Sequence, residues 1–294
     1  MNGWLHSINN SETNASPIVF VSGDPQASSH LVFVPGLTDR LLAMQDVMTL
    51  LHQRLPSSMS LVQCQLKSAG NAFGAFSIAD DVDDILAVCK FLIGRGSQSI
   101  FLLGHSTGCQ DCVSFLKAYS SLDGIIQGVI LQAPVSDRHY ILSAIPDVES
   151  SLKTSLDMIA CGKGDNFLPE ARLFGCAITA YRFASLAGRL TDDDLFSTDF
   201  TEQEMLQVLG HISVPSLWVF SLADEFVPDG IDQKRFSERV AKLIPESTHT
   251  LLPGASHDLS GRDHAIEFVD LVTDFISKKT FVFQKEHSGI NLVS

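Results

Sequence analysis

The sequence predicts an α/β architecture, a mostly parallel central sheet flanked by helices, and three observations predict it. Short apolar runs rich in β-branched residues alternate with longer stretches of helical periodicity. Most of these runs lack a polar alternate face, as expected of strands covered on both sides. A G-x-S-x-G pentapeptide, Gly104-His-Ser-Thr-Gly108, stands where one such run gives way to a helical segment.

Taken in order, the strand candidates are Leu31–Val34, Leu61–Leu66, Ile100–Leu103, Gly128–Gln132, Leu217–Ser221 and Thr248–Leu252. Between the second and third, Ser77 followed by Asp80 forms a capping-box pattern, and Val82, Ile85, Leu86, Cys89, Leu92 and Ile93 then share one helix face. Gly94 and Gly96 end that helix. The last helix, Asp263 to Lys278, places Phe268, Leu271, Val272, Phe275 and Ile276 at helical spacing, so it should close one side of the sheet. From about Arg138 to Gly210 the rhythm breaks into helical fragments without a convincing strand. The expected organisation is therefore a core of residues 1–138 and 211–294 with an inserted helical cap at 139–210. The tail is ambiguous: Phe281-Val-Phe could pair as an edge strand, and His287 to Ser294 looks loose.

With 294 residues, 45% of them apolar and 18% charged, and a mean hydropathy of +0.18, the chain can bury a sizeable core and is not disordered. Its net charge of −14 argues against nucleic acid and anionic membranes as partners. No run reaches the roughly 18 apolar residues of a membrane span, since Ile85–Ile93 is interrupted by Lys90. Met1 to Ser16 is polar, without the apolar core of a secretory signal, so a cytoplasmic protein is expected and the sequons at Asn9 and Asn14 are idle. Six scattered cysteines, Cys64, Cys89, Cys109, Cys112, Cys161 and Cys176, read as free thiols. The C-x-x-C at Cys109 and Cys112 falls on an apolar helix face and reads as packing.

The chemistry centres on Ser106. The pentapeptide is a weak signal alone, but a preceding strand and a following helix make it a nucleophile elbow. The flanking glycines permit a tight turn and close backbone approach, and the helix N-terminus favours developing negative charge. A serine hydroxyl needs a base, and the base needs a carboxylate to hold its tautomer. Asp224 follows Leu217–Ser221, and His257 follows Thr248–Leu252, each just past a strand end. The order Ser106, Asp224, His257 is that of the α/β-hydrolase fold. Glu225 and Asp137 are alternative acids. The oxyanion donors should be the N–H groups of Thr107 and of Leu37, in the turn Val34-Pro-Gly-Leu-Thr-Asp39, where Gly36 leaves room for approach. Neither metal-binding nor nucleotide-binding motifs are present, so no cofactor and no metal are implied. The acidic run Asp192–Asp194 reads as a solvated helix start rather than a cation site.

The strings Gly36-Leu-Thr-Asp39, Gly104-His-Ser-Thr-Gly-Cys-Gln-Asp111, Ile130-Leu-Gln-Ala-Pro-Val-Ser-Asp-Arg138, Ala180-Tyr-Arg-Phe-Ala-Ser-Leu186, Asp193-Asp-Leu-Phe-Ser-Thr-Asp199 and Asp224-Glu225 carry a more specific likeness. They resemble a little-characterised α/β-hydrolase family of fungi, plants and protists, whose fungal members include esterases of fusarinine-type hydroxamate siderophores. The resemblance runs from about Leu31 to Ile276. It implies an esterase with Ser106, Asp224 and His257 as its triad, acting on a small-molecule ester. The loop Lys67–Ser77 departs from the tyrosine- and glycine-rich form expected of the family, carrying Asn71, Phe73 and Phe76 instead. Gly36, His105 and the cap residues Tyr181 and Arg182 are expected to line the substrate path. A thioesterase, amidase or acyltransferase with the same triad, or a catalytically silent binding protein on this scaffold, are the alternative readings. Oligomeric state is not legible in the sequence.

Overall fold

The computed structural model describes residues 1–9, 15–122 and 124–288. The two sequons and the terminal stretch 289–294 lie partly or wholly outside them.

In chain order the strands are β1 (Gly3–Ser7), β2 (Ile18–Ser22), β3 (Ser29–Val34), β4 (Met59–Gln65), β5 (Ser99–His105), β6 (Ile126–Gln132), β7 (Phe167–Leu173), β8 (Cys176–Thr179), β9 (Ser216–Ser221) and β10 (Ser247–Leu252). Eight of them form one sheet in the order β1-β2-β4-β3-β5-β6-β9-β10. From β4 to β10 every pairing is parallel, while β2 runs antiparallel to both β1 and β4. All six predicted strands are present. The β1–β2 pair was not predicted, because β1 is a short edge strand whose apolar residues stay outside: Trp4 and Leu5 are exposed.

Alternate side chains of β5 feed two cores. Ile100 and Leu102 pack with helices α2 (Ile78–Gly94), α3 (Thr107–Ala118) and α8 (Gln233–Leu243), through residues such as Ile85, Val113 and Val240. Phe101 and Leu103 point the other way, towards α1 (Gln45–Arg54) and α9 (Arg262–Ser288), meeting Met48, Leu51, Phe268 and Val272. Each such buried side chain contributes about 1.5–3 kcal/mol. The capping box at Ser77 and Asp80 opens α2 as predicted. α9 runs through residues 281–283, so the expected edge strand there is not formed. No glycine or proline interrupts the sequence from Asp263 to Ser288, and the helix simply continues.

Between β6 and β9 the chain leaves the sheet and forms α4 (Asp137–Ala144), α5 (Val148–Ala160), the β7–β8 hairpin, α6 (Ala180–Ala187) and α7 (Glu202–Leu209). Phe73, Ile141, Leu168, Ile178, Phe183 and Leu186 belong to a third core there. The hairpin corrects the expectation of a segment without strands. Its strands carry Pro169 and a run of exposed positions, which hides the alternation a strand shows in sequence.

The acidic run Asp192–Asp194 also departs from expectation. Asp193 and Asp194 are buried. Arg182, 1% exposed, pairs with Asp193 and donates from Nε to the Phe73 carbonyl at 3.2 Å. Arg138 pairs with Asp194 at 3.1 Å and donates to Ser197. Asp81 of α2, Asp111 of α3 and Asp137 of α4 surround the same guanidinium electrostatically. Burial pushes the carboxyls of Asp81 and Asp137 up to about 7 and raises Asp111 well above the carboxylate range. Asp193 and Asp194 are therefore buried counter-charges for two arginines of the same segment, and Arg182 also reaches the Phe73 carbonyl outside it.

Candidate active site

β5 ends at His105, and α3 begins at Thr107, leaving Ser106 as the single residue of the turn. Its backbone sits at φ 53°, ψ −125°, a conformation L-residues avoid. Two close approaches hold it there. A Cβ on Gly104 would lie 2.3 Å from the Gly108 carbonyl oxygen, and one on Gly108 would lie 2.2 Å from that of Val34. Only glycine fits at either position. The Ser106 N–H donates to the Gln132 carbonyl at 3.0 Å, tying the turn to the end of β6. Thr107 is the first residue of α3, so its N–H has no acceptor within the helix.

His257 and Asp224 come from the loops after β10 and β9, neighbouring strands in parallel register. The His257 Nδ1 and Asp224 Oδ2 are 2.7 Å apart in a buried contact. The other Asp224 oxygen accepts the Phe226 N–H at 2.9 Å. Glu225 reaches a different part of the histidine, accepting its backbone N–H at 3.0 Å. Asp137 accepts from Gln110 Nε2 at 2.7 Å. Of the three candidate acids, Asp224 alone is hydrogen bonded to the imidazole. A carboxylate at Nδ1 favours the tautomer that carries its proton there.

On the other side, the turn after β3 brings Gly36 against the serine: a Cβ on Gly36 would be 2.9 Å from Ser106 Cβ. The Gly36 N–H donates to Asp39 Oδ2 at 2.9 Å, and Thr38 adopts φ 68°, so the turn has a defined shape. Burial raises the Asp39 carboxyl, partly offset by that N–H. Leu37 packs against the third core.

Two expected substrate contacts have other settings. His105 is buried, bonded through Nδ1 to Gln132 Oε1, and packs its ring 4.9 Å from that of His257. Burial, and then the neighbouring His257, lower it to about 3, so it is a neutral support for the ring beside it. Arg182 is sealed in the ion-pair network and is not offered to a ligand. Tyr181 is exposed, its hydroxyl donating to Asp192 at 3.1 Å. Cys109 and Cys112 are buried, and burial raises both thiols well above their usual range, in keeping with packing.

Gln132 escaped the sequence reading. Its Nε2 donates to the His257 carbonyl at 3.0 Å and to Ser221 at 3.3 Å, while its other atoms hold His105 and Ser106. A glutamine amid the apolar residues of β6, Ile130-Leu-Gln-Ala, was the available signal.

A sheet of this order, with a strained serine at the central strand-to-helix turn and Asp and His just past the ends of β9 and β10, defines the α/β-hydrolase fold. The chain belongs to the family described as protein of unknown function (DUF1749), whose model matches residues 2–277. It is 26% identical to the fusarinine C esterase sidJ of Aspergillus fumigatus, over 80% of this chain and 84% of that one. It is 27% identical to the UPF0613 protein PB24D3.06c of Schizosaccharomyces pombe, covering 87% and 89%. Among solved structures it is similar to the siderophore hydrolase EstB from Aspergillus fumigatus, with TM-score 0.74, 23% identity and coverage of 95% and 98%. Among the described residues, no helix is long and apolar enough to cross a membrane.

Proposed function

We propose that the chain is a cofactor-independent serine hydrolase that cleaves carboxylic esters. The observation that carries this is the 2.7 Å bond from His257 to Asp224, together with a serine held strained at the elbow. His257 Nε2 takes the Ser106 proton as Oγ attacks the ester carbonyl carbon. The N–H groups of Leu37 and Thr107 stabilise the resulting oxyanion. The imidazolium, stabilised by Asp224, hands the proton to the departing alcohol, leaving an acyl-enzyme. Water, deprotonated by His257, then releases the acid.

Residues 139–210 act as a cap that shapes access to Ser106, supported by their separate apolar core and by Leu37 packing against it. The names of sidJ and EstB favour hydroxamate siderophore esters as the first substrates to try. A fluorophosphonate probe tests the chemistry. Intact mass should show one adduct on the wild type and none on a folded Ser106→Ala variant. Absence of any adduct on folded wild type would overturn the reading and favour a binding protein on the hydrolase scaffold.

A further inference from the structure

Four aromatic rings from four separate segments converge beside the catalytic histidine. Phe226, two residues beyond Asp224, sets its ring centroid 4.5 Å from that of His257. Tyr140, from α4, lies 5.0 Å from Phe226. Phe174, at the β7–β8 turn, stacks on Tyr140 at 6.0 Å and 15°, and meets Phe226 near edge-on at 6.3 Å. Phe73 abuts Phe174 at 6.4 Å.

Phe174 is the unusual member. It holds φ 48° without being glycine or asparagine, and its side chain is 45% exposed. A bulky aromatic at positive φ is disfavoured, and an open phenyl face gains nothing from burial. Its contacts with Phe73, Tyr140 and Phe226 reward an aromatic ring there, yet nearly half of the residue stays open to solvent. What the position does provide is a partly exposed ring at the outer end of a wall that starts on His257.

The side of the site follows from the chemistry. His257 gives its proton to the alcohol oxygen as that oxygen departs, so the alcohol half of the ester must lie on the histidine's side of the acyl carbon. A wall beginning on the His257 ring therefore borders the leaving group. We infer that Tyr140, Phe174 and Phe226 form the subsite for the alcohol half of the ester, and that they select a flat, π-rich alcohol of the aryl or arylmethyl class. This inference rests on the serine-hydrolase reading above.

The test compares benzyl acetate with cyclohexylmethyl acetate, equal in heavy atoms but differing in flatness and π character. A matched acyl-side pair, methyl phenylacetate and methyl cyclohexylacetate, serves as control. Wild type should favour the benzyl ester in kcat/KM by about fivefold, the scale of one aromatic contact. Phe174→Leu, which keeps apolar bulk and loses the ring, should bring that ratio near one and leave the acyl-side ratio where it was. A melting midpoint and one fluorophosphonate adduct on Ser106 show that the variant is folded and armed. A wild-type ratio near one, a ratio unchanged by Phe174→Leu, or a change confined to the acyl-side pair would overturn the subsite while leaving the serine-hydrolase reading intact. Failure of wild type to take the label would remove both.

Discussion

Replacing Arg182 with methionine should loosen the packing of residues 139–210 against Phe73, by an amount that depends on pH. The guanidinium is buried against Asp193 and donates to the Phe73 carbonyl, with Asp81, Asp111 and Asp137 close enough to act on it. Methionine fills much of the volume but leaves Asp193 without its cation and the carbonyl without that donor. Removing one partner of a buried ion pair costs about 3–5 kcal/mol. Unfolding entropy of about 2.1 cal/mol/K per residue, over a chain this long, converts that cost to a fall of roughly 5–8 °C in the melting midpoint. Burial already raises the Asp193 carboxyl while Arg182 lowers it, so without Arg182 it holds its proton to higher pH. The variant can thus relieve its unpaired charge in acid and not in alkali. Melts followed by circular dichroism at pH 5 and pH 8 should show the larger deficit at pH 8. A midpoint within 1 °C of wild type at pH 8, or a deficit equal at both pH values, would refute the account of this cluster as charge-balanced.

Further outcomes follow from the same geometry. Asp224→Asn should lower kcat on any ester that wild type hydrolyses by about 10³–10⁴-fold, because it upsets the imidazole tautomer; Glu225→Gln, whose native partner is only the His257 backbone, should cost far less, and steady-state kinetics of the two variants identify the acid. Gln132→Leu should reduce kcat by about tenfold to a hundredfold with KM little changed, since it frees the His257 loop and the His105 ring without touching substrate; an unchanged kcat would remove Gln132 from the positioning role. Gly108→Ala should destabilise the fold by about 1–3 kcal/mol or more, because its Cβ would press on the Val34 carbonyl, and a chemical denaturation midpoint equal to wild type would contradict the close approach. Asp81 holds its proton to about pH 7 in the fold but only to about 3.9 when unfolded, so its contribution to stability is complete below about pH 4 and is lost as pH rises towards 7. Asp81→Asn, neutral throughout, should therefore gain on wild type between pH 4.5 and pH 8, and an equal difference in melting midpoint at both would sink the assignment.

Much of the candidate site was legible because it depends on local rules. The elbow needs glycines at fixed offsets from Ser106, and the apolar runs before Asp224 and His257 announce their strands, so chain order and strand ends were enough to nominate all three residues. The same local reading failed where a residue's role depends on what lies across from it. In sequence Arg182 reads as lining the substrate path and Asp193 as part of a solvated helix start, and only packing shows them buried against each other. β1 and the β7–β8 hairpin have little alternation of their own; β1 forms by pairing with β2, and β7 and β8 by pairing with each other in a separate two-stranded sheet. Phe281-Val-Phe reads as a strand by composition, yet the continuing helix claims it.

By itself the sequence determined the class of architecture, the parallel strands and the nominated nucleophile, base and acid, because periodicity and turn chemistry are written in consecutive residues. The tertiary structure alone decided that Asp224, rather than Glu225 or Asp137, meets the imidazole, that Gln132 supports it, and that Tyr140, Phe174 and Phe226 gather beside it. Those outcomes are set by distances between segments far apart in the chain. A hydrogen bond or a ring contact operates over a few ångströms, and only the packed fold brings such residues within reach.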